Sequence, residues 1–209
     1  MRTLIFATGN ESKAKRFSKG LKDYGIEVKS LKDLNITLDV LEDGETAIQN
    51  ALKKARACYE KTHMTSIGMD DTLYLENVPD SRQPGLYVRR VNGKNLTDEE
   101  MIEHYISLVK QYGEKGRLNS KWVYGLALID AFGKEYTYTW SKDNFYMVDV
   151  PSEERNVGYP LNSISKYKIN HKYFTEVSEK EKALLQEKED DVIRFIVEHL
   201  GQEKIKIKN

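Results

Sequence analysis

Residues 3–7, Thr-Leu-Ile-Phe-Ala, form a continuous apolar run closed by Thr8-Gly9-Asn10. Such a run predicts a short buried strand ending in a turn. Over residues 11–24 the apolar positions Phe17 and Leu21 stand four apart, and Gly25 follows. This spacing predicts a helix stopped by glycine. Residues 26–30 read as a second strand. Residues 33–44 read as a loop, acidic toward its end, and residues 45–62 as a helix with a small-residue stripe at Ala47, Ala51 and Ala55. A short apolar run at 66–69 stops at Asp70-Asp71, residues 73–75 read as a resumed strand, and residues 79–84 are turn-rich. Thr97-Asp98-Glu99-Glu100 has the capping-box pattern and opens a helix carrying Met101, Ile102, Tyr105, Ile106 and Val109. Residues 122–131 and 135–148, separated by Phe132-Gly133-Lys134, predict a β-hairpin with Tyr136, Tyr138 and Trp140 on one face. Ser178 and Glu181 form a second capping box. The helix after it carries Leu184, Leu185, Val192, Ile193, Ile196 and Val197, is closed by Gly201, and leaves a loose tail over 202–209.

Strand, glycine turn, helix, strand is the grammar of parallel α/β pairing. With the hairpin it predicts an α/β fold. The expectation is an elongated mixed β-sheet flanked by helices, one domain over residues 1–209 with two lobes around a central cleft.

Composition narrows the function classes. The chain has 209 residues, of which 39% are hydrophobic and 32% charged. That is enough apolar material for a core and excludes wholesale disorder. Lys and Arg total 33 and Asp and Glu total 33, so the formal charge is zero. This balance argues against binding nucleic acid through bulk electrostatics. Cys58 is the single cysteine, and the four histidines (His63, His104, His171, His199) lack metal-ligand spacing. No apolar run is long enough for a membrane span. A cytoplasmic setting is the expectation.

Three groups of residues could carry chemistry. In Thr8-Gly9-Asn10-Glu11-Ser12-Lys13 a strand passes through a glycine turn into a helix. Free N–H groups and the positive end of the dipole there suit a phosphate. An ordinary turn capped by Asn10 is the alternative. Glu42, Asp70 and Asp71 are candidate Mg²⁺ ligands, because the adjacent pair ends an apolar strand, where α/β sheets bind ligands. One carboxylate there could act as general base for a water. The alternative is a turn cap by Asp71. Asn50 and Lys54 lie four apart on one helical face and with Lys13 could form a positive pocket, or else a solvated face.

Taken together these segments resemble the inosine triphosphate pyrophosphatase family, the house-cleaning nucleoside triphosphate pyrophosphatases. Thr8, Gly9, Asn10 and Lys13 match the family's Thr-Gly-Asn-x-x-Lys. Glu42 stands eight residues before Asn50-Ala51-Leu52-Lys53-Lys54-Ala55, as the family's metal-binding Glu does before Asn-Ala-x-x-Lys-Ala. Asp70-Asp71-Thr72-Leu73 looks like Asp-Asp-Ser-Gly-Leu with one residue fewer. Pro84-Gly85-Leu86-Tyr87-Val88-Arg89-Arg90 matches Pro-Gly-x-Tyr-x-x-Arg. Thr175-Glu176-Val177 and Lys182 weakly resemble a later Thr-x-x-Glu-Leu and its Lys.

The resemblance implies hydrolysis of a nucleoside triphosphate to the monophosphate and pyrophosphate by a homodimer. Mg²⁺ would sit on Glu42 and Asp71. Asp71 would act on the attacking water and Asp70 would shape its field. Lys13, Lys54 and Lys182 would neutralise phosphate charge. Thr8, Gly9, Asn10 and Asn50 would line the substrate, with Thr72 at the Ser position.

The base-reading half departs from the family. Its Phe-Gly-Tyr-Asp-Pro, with a stacking Phe, is here Val157-Gly158-Tyr159-Pro160. Gly158 and Tyr159 remain and the Asp is missing. Its Ser-His-Arg falls on Gln186-Glu187-Lys188. A carboxylate accepts hydrogen bonds where His and Arg donate them, so Glu187 and Lys188 suggest a changed base preference. A slipped alignment is the alternative. A catalytically idle nucleotide-binding protein is the second function class.

Overall fold

The computed structural model describes residues 2–8, 11–178, 180, 181, 185 and 187–200. Of the residues singled out above, Gly9, Asn10, Lys182, Leu184, Gln186, Gly201 and the tail lie outside this set, as do the side chains of Glu187 and Lys188. Strands are β1 (Arg2–Phe6), β2 (Ile26–Ser30), β3 (Ser66–Leu75), β4 (Arg90–Val91), β5 (Lys94–Asn95), β6 (Arg117–Ile129), β7 (Glu135–Val148) and β8 (Ser165–Tyr167). Helices are α1 (Glu11–Lys22), α2 (Ala47–Thr62), α3 (Asp98–Tyr112) and α4 (Glu187–Leu200).

The expected mixed α/β fold is present. Six strands form one sheet in the order β2-β1-β3-β6-β7-β8. β1 pairs parallel with both β2 and β3, and β8 pairs antiparallel with β7. The strand break expected at Asp70-Asp71 does not occur, since β3 runs unbroken through both. Hydrogen bonding along the ladder outweighs the low β-propensity of two aspartates.

The chain divides into two compact units. The first comprises Met1–Asp70, Gly125–Thr139 and Gln186–Asn209; the second comprises Asp71–Tyr124 and Trp140–Leu185. In the first unit the predicted alanine stripe is buried. Ala51 and Ala55 pack with Ala127 and Ile129 of β6. Small residues are required because the helix backbone almost touches the sheet. A Cβ on Gly68 would lie 2.1 Å from the Ala51 carbonyl, and one on Gly125 would lie 2.6 Å from the Ile48 nitrogen. Thr46 caps α2, its hydroxyl accepting from the Gln49 N–H. α4 closes this unit. Val192 and Ile196 are buried, Phe195 stacks on Tyr138 of β7 at a centroid distance of 5.1 Å, and His199 packs tilted against Tyr136 at 4.3 Å. The aromatic face of β7 is thus a helix seat. The Arg2 guanidinium donates to the Leu200 carbonyl at 2.9 Å, satisfying an orphan group of the last helical turn.

In the second unit Met101, Ile102, Tyr105, Leu108 and Val109 of α3 meet Leu118, Phe145, Met147 and Tyr167 in an apolar core. Burial pushes the Tyr105 phenol above its ordinary pKa. Its hydroxyl donates to the Val88 carbonyl at 3.0 Å. The predicted capping box of α3 forms in full between Thr97 and Glu100. Lys94 and then the Thr97 N–H hold the Glu100 carboxyl at about 2, below its ordinary value of 4.5. A depressed carboxylate stabilises the fold above its unfolded pKa, and that contribution fades as the pH falls toward the folded value. Glu100→Gln is therefore expected to flatten stability between about pH 4.5 and about pH 2, read by urea melts across that range.

Candidate active site

Two of the three carboxylates picked out in the sequence, Glu42 and Asp70, meet Lys54 in the first unit. Asp70 lies on β3, where the strand leaves the tightly packed Gly68. Lys54 lies on α2, and Glu42 on the loop before that helix. The Lys54 ammonium donates to Glu42 Oε2 at 2.8 Å and to Asp70 Oδ1 at 3.3 Å. The Met69 carbonyl stands 3.5 Å from the same nitrogen. Three oxygens from two chain segments, the loop before α2 and strand β3, thus surround one cation. The side chains of Lys54 and Asp70 are only 14% and 13% exposed, and that of Glu42 is 48% exposed. The Lys54–Asp70 pair is accordingly screened far less than a surface ion pair.

Asn50 holds this arrangement together. It is 2% exposed. Its amide nitrogen donates to Asp70 Oδ2 at 2.8 Å, and its amide oxygen accepts the Gly44 N–H at 2.8 Å. One side chain therefore fixes the rotamer of Asp70 and the path of the loop carrying Glu42. Gly44 has no room for a side chain, since a Cβ there would sit 2.6 Å from Asn50 Oδ1. The spacing of Asn50 predicts a substrate contact, and the structure gives it this positioning role. The available signal was its position beside Ala47 and Ala51 on the buried stripe, where a polar residue must find partners. Asn50→Ala leaves a carboxylate oxygen and a backbone N–H unpaired. A loss of about 2 kcal/mol is expected, measured by denaturant unfolding.

The other candidates are distributed as follows. Thr8 follows β1 and Lys13 opens α1; both are half-buried. The register Phe6↔Ile67, with Ala7 N–H donating to the Ile67 carbonyl at 2.7 Å, puts the end of β1 beside β3 just before Asp70. Thr8 therefore leaves the sheet at the C-terminal end of parallel strands, the edge at which such sheets bind ligands. Asp71 and Thr72 continue β3 in the second unit. Thr72 is buried, and its hydroxyl donates to the Val123 carbonyl at 3.2 Å. Gly158 and Tyr159 lie in a turn of the second unit closed by the Tyr159 N–H on the Asn156 carbonyl at 2.9 Å. Gly158 has a φ of +82° there, a conformation suited to glycine. Val157 beside it is 91% exposed.

A family model described as the Ham1 family matches residues 4–192 of the chain. The protein belongs to the Ham1 family. This membership agrees with the resemblance drawn from the motifs. Among relatives, the dITP/XTP pyrophosphatase of Bacillus subtilis (strain 168) is 30% identical over 159 residues, which is 76% of this chain and 78% of that one. The protein of the same name from Caldanaerobacter subterraneus subsp. tengcongensis is 40% identical over 111 residues, 53% of this chain and 54% of that one. The chain thus spans about half the length of several of the curated relatives it matches. The fold matches the Ham1 protein of Staphylococcus aureus with a TM-score of 0.73 at 20% identity, covering 95% of this chain and all of that one. It matches a HAM1 protein from Coxiella burnetii with a TM-score of 0.72 at 20% identity, over 95% of this chain and 100% of that chain. This Ham1 member therefore carries its clustered Glu42, Lys54 and Asp70 on the family's fold.

Proposed function

We propose that this protein is a divalent-metal-dependent nucleoside triphosphate pyrophosphohydrolase, converting a triphosphate and water to the nucleoside monophosphate and pyrophosphate. The observation that carries this reading is the convergence of Glu42 and Asp70 on one cation, immediately before Asp71, in a chain whose relatives are named dITP/XTP pyrophosphatases. The donor set suits Mg²⁺, since hard carboxylate oxygens already share a cation there. Glu42 and Asp71 are the proposed metal ligands, with Asp70 a further oxygen donor. The ion would polarise phosphate oxygens and lower the pKa of a nearby water.

The chain's own residues divide the remaining work. Asp71 accepts the proton of the water that attacks the α-phosphorus, and the bond to the bridging oxygen of pyrophosphate breaks. Lys13, Lys54 and Lys182 offset charge that grows on the departing pyrophosphate. Thr8, Gly9 and Asn10 bind the phosphates. Asn50 positions Asp70. Gly158, Tyr159, Glu187 and Lys188 belong to the base-reading half. Val157 there offers no ring for stacking, and Glu187 accepts hydrogen bonds, so a base with an exocyclic amino group is favoured over one with a keto edge. We also propose a homodimer, to be checked by sedimentation.

Pyrophosphate release from a panel of ribo- and deoxyribonucleoside triphosphates with Mg²⁺ tests both levels. Turnover of no triphosphate would refute the enzyme reading and favour an idle nucleotide-binding protein. Strong turnover confined to ITP, dITP and XTP would leave the enzyme reading standing and remove the changed base preference.

A further inference from the structure

We propose that Lys54 is a place-holder cation: in the metal-free protein its ammonium fills the position between Glu42 and Asp70, and it is released toward the substrate phosphates when those carboxylates take a divalent ion. This inference rests on the function proposed above and assigns Lys54 two successive partners.

The argument starts from electrostatics. Two carboxylates aimed at one point repel each other unless a cation stands between them. Here the cation is the Lys54 ammonium, 2.8 Å from Glu42 and 3.3 Å from Asp70, with the Met69 carbonyl at 3.5 Å as a third oxygen. An all-oxygen surround of this kind is what a hard divalent cation takes. The carboxylates do not depend on Lys54 alone for their placement. Asn50 grips the far oxygen of Asp70 and, through Gly44, the loop that carries Glu42. The anionic pair is thus held ready while its cation is exchangeable. Lysine suits the task, being a compact charge on a flexible stem that can swing without disturbing the backbone.

The exchange has a consequence for binding order. Lys54 cannot sit between the carboxylates and also neutralise a phosphate. Metal entry removes its first partners and leaves an ammonium on the rim of the site for an incoming polyanion. Metal and triphosphate then bind with positive coupling, each relieving a cost the other would meet. The neighbouring Lys53 provides a contrast. It pairs with Asp43 on the exposed side of the same helix, and carries the same charge without touching Glu42 or Asp70.

Mn²⁺ binding to the full chain without nucleotide, followed by isothermal titration calorimetry, tests the proposal. Lys54→Met is expected to bind Mn²⁺ about tenfold tighter than the unaltered protein, because the competing state is gone. Lys53→Met is expected to change affinity by less than about twofold, the share of a screened surface charge. Equal affinity in the unaltered protein and Lys54→Met, or equal gains in the two variants, would overturn the proposal. A measurement on the unaltered protein does not depend on the variant folding. Acetylation of Lys54 by an amine-reactive ester, quantified by peptide mass spectrometry, is expected to rise when Mn²⁺ is added, and unchanged labelling overturns the exchange. Pyrophosphate release is assayed separately. Failure of the enzyme reading appears as absent turnover, and failure of this inference as unmoved affinity and labelling.

Discussion

Gly68→Ala is expected to be strongly destabilising, with the closest clash among the glycines whose surroundings are described. The added Cβ would stand 2.1 Å from the Ala51 carbonyl oxygen and 2.8 Å from the Ala55 nitrogen. Both neighbours are backbone atoms of α2, so no rotamer change relieves the clash. The helix must lift off β3, opening the packing of Ala51 and Ala55 against Ala127 and Ile129. A loss of about 3 kcal/mol is expected for overpacking of this kind, lowering Tm by about 10 °C in a chain of this size. The site moves with the helix, because Asn50 and Lys54 on α2 hold Asp70 two residues beyond Gly68. Activity should therefore fall with stability. Gly20→Ala is the informative comparison. A Cβ there meets the tip of the Ile193 side chain at 3.0 Å, which can turn aside. Melting curves of the two variants decide the matter, and an unchanged Tm for Gly68→Ala would show that α2 and β3 can separate freely.

Asp71→Asn should have the largest effect on turnover. If Asp71 takes the proton of the attacking water, the amide removes the base while keeping the shape. The expected loss is about 100-fold to 10,000-fold in kcat, with melting temperature and far-ultraviolet circular dichroism unchanged. Because Asp71 is also a proposed metal ligand, this variant should lower metal affinity as well as rate, and Asp70→Asn should in addition weaken the hold on Lys54. Full activity in Asp71→Asn would move the base elsewhere, and Asp70 would be the first alternative.

Much of this molecule is legible in one chain. The run at 3–7 becomes β1, the Phe17/Leu21 spacing becomes α1, and Ile26–Ser30 is β2 as expected. These succeed because burial periodicity and glycine punctuation act locally. The capping boxes at Thr97 and Ser178 form with their glutamates. The expected break at Asp70-Asp71 was wrong, because ladder hydrogen bonds carry the strand through residues that would not start one. The candidate carboxylates and lysines were also legible, through the spacing of motifs, but their pairing was not. The spacing predicts Lys54 at the substrate phosphates, and the structure pairs it with Glu42 and Asp70.

The sequence by itself determined which elements form and which residue types are available for chemistry: apolar spacing, capping pairs and glycine positions are properties of neighbours along the chain. Tertiary structure decided that Glu42, Asn50, Lys54 and Asp70 form one network. Ion pairing and hydrogen bonding fall off within a few ångströms, and only the close approach of α2 to β3 at Gly68, where no side chain intervenes, brings those four within reach.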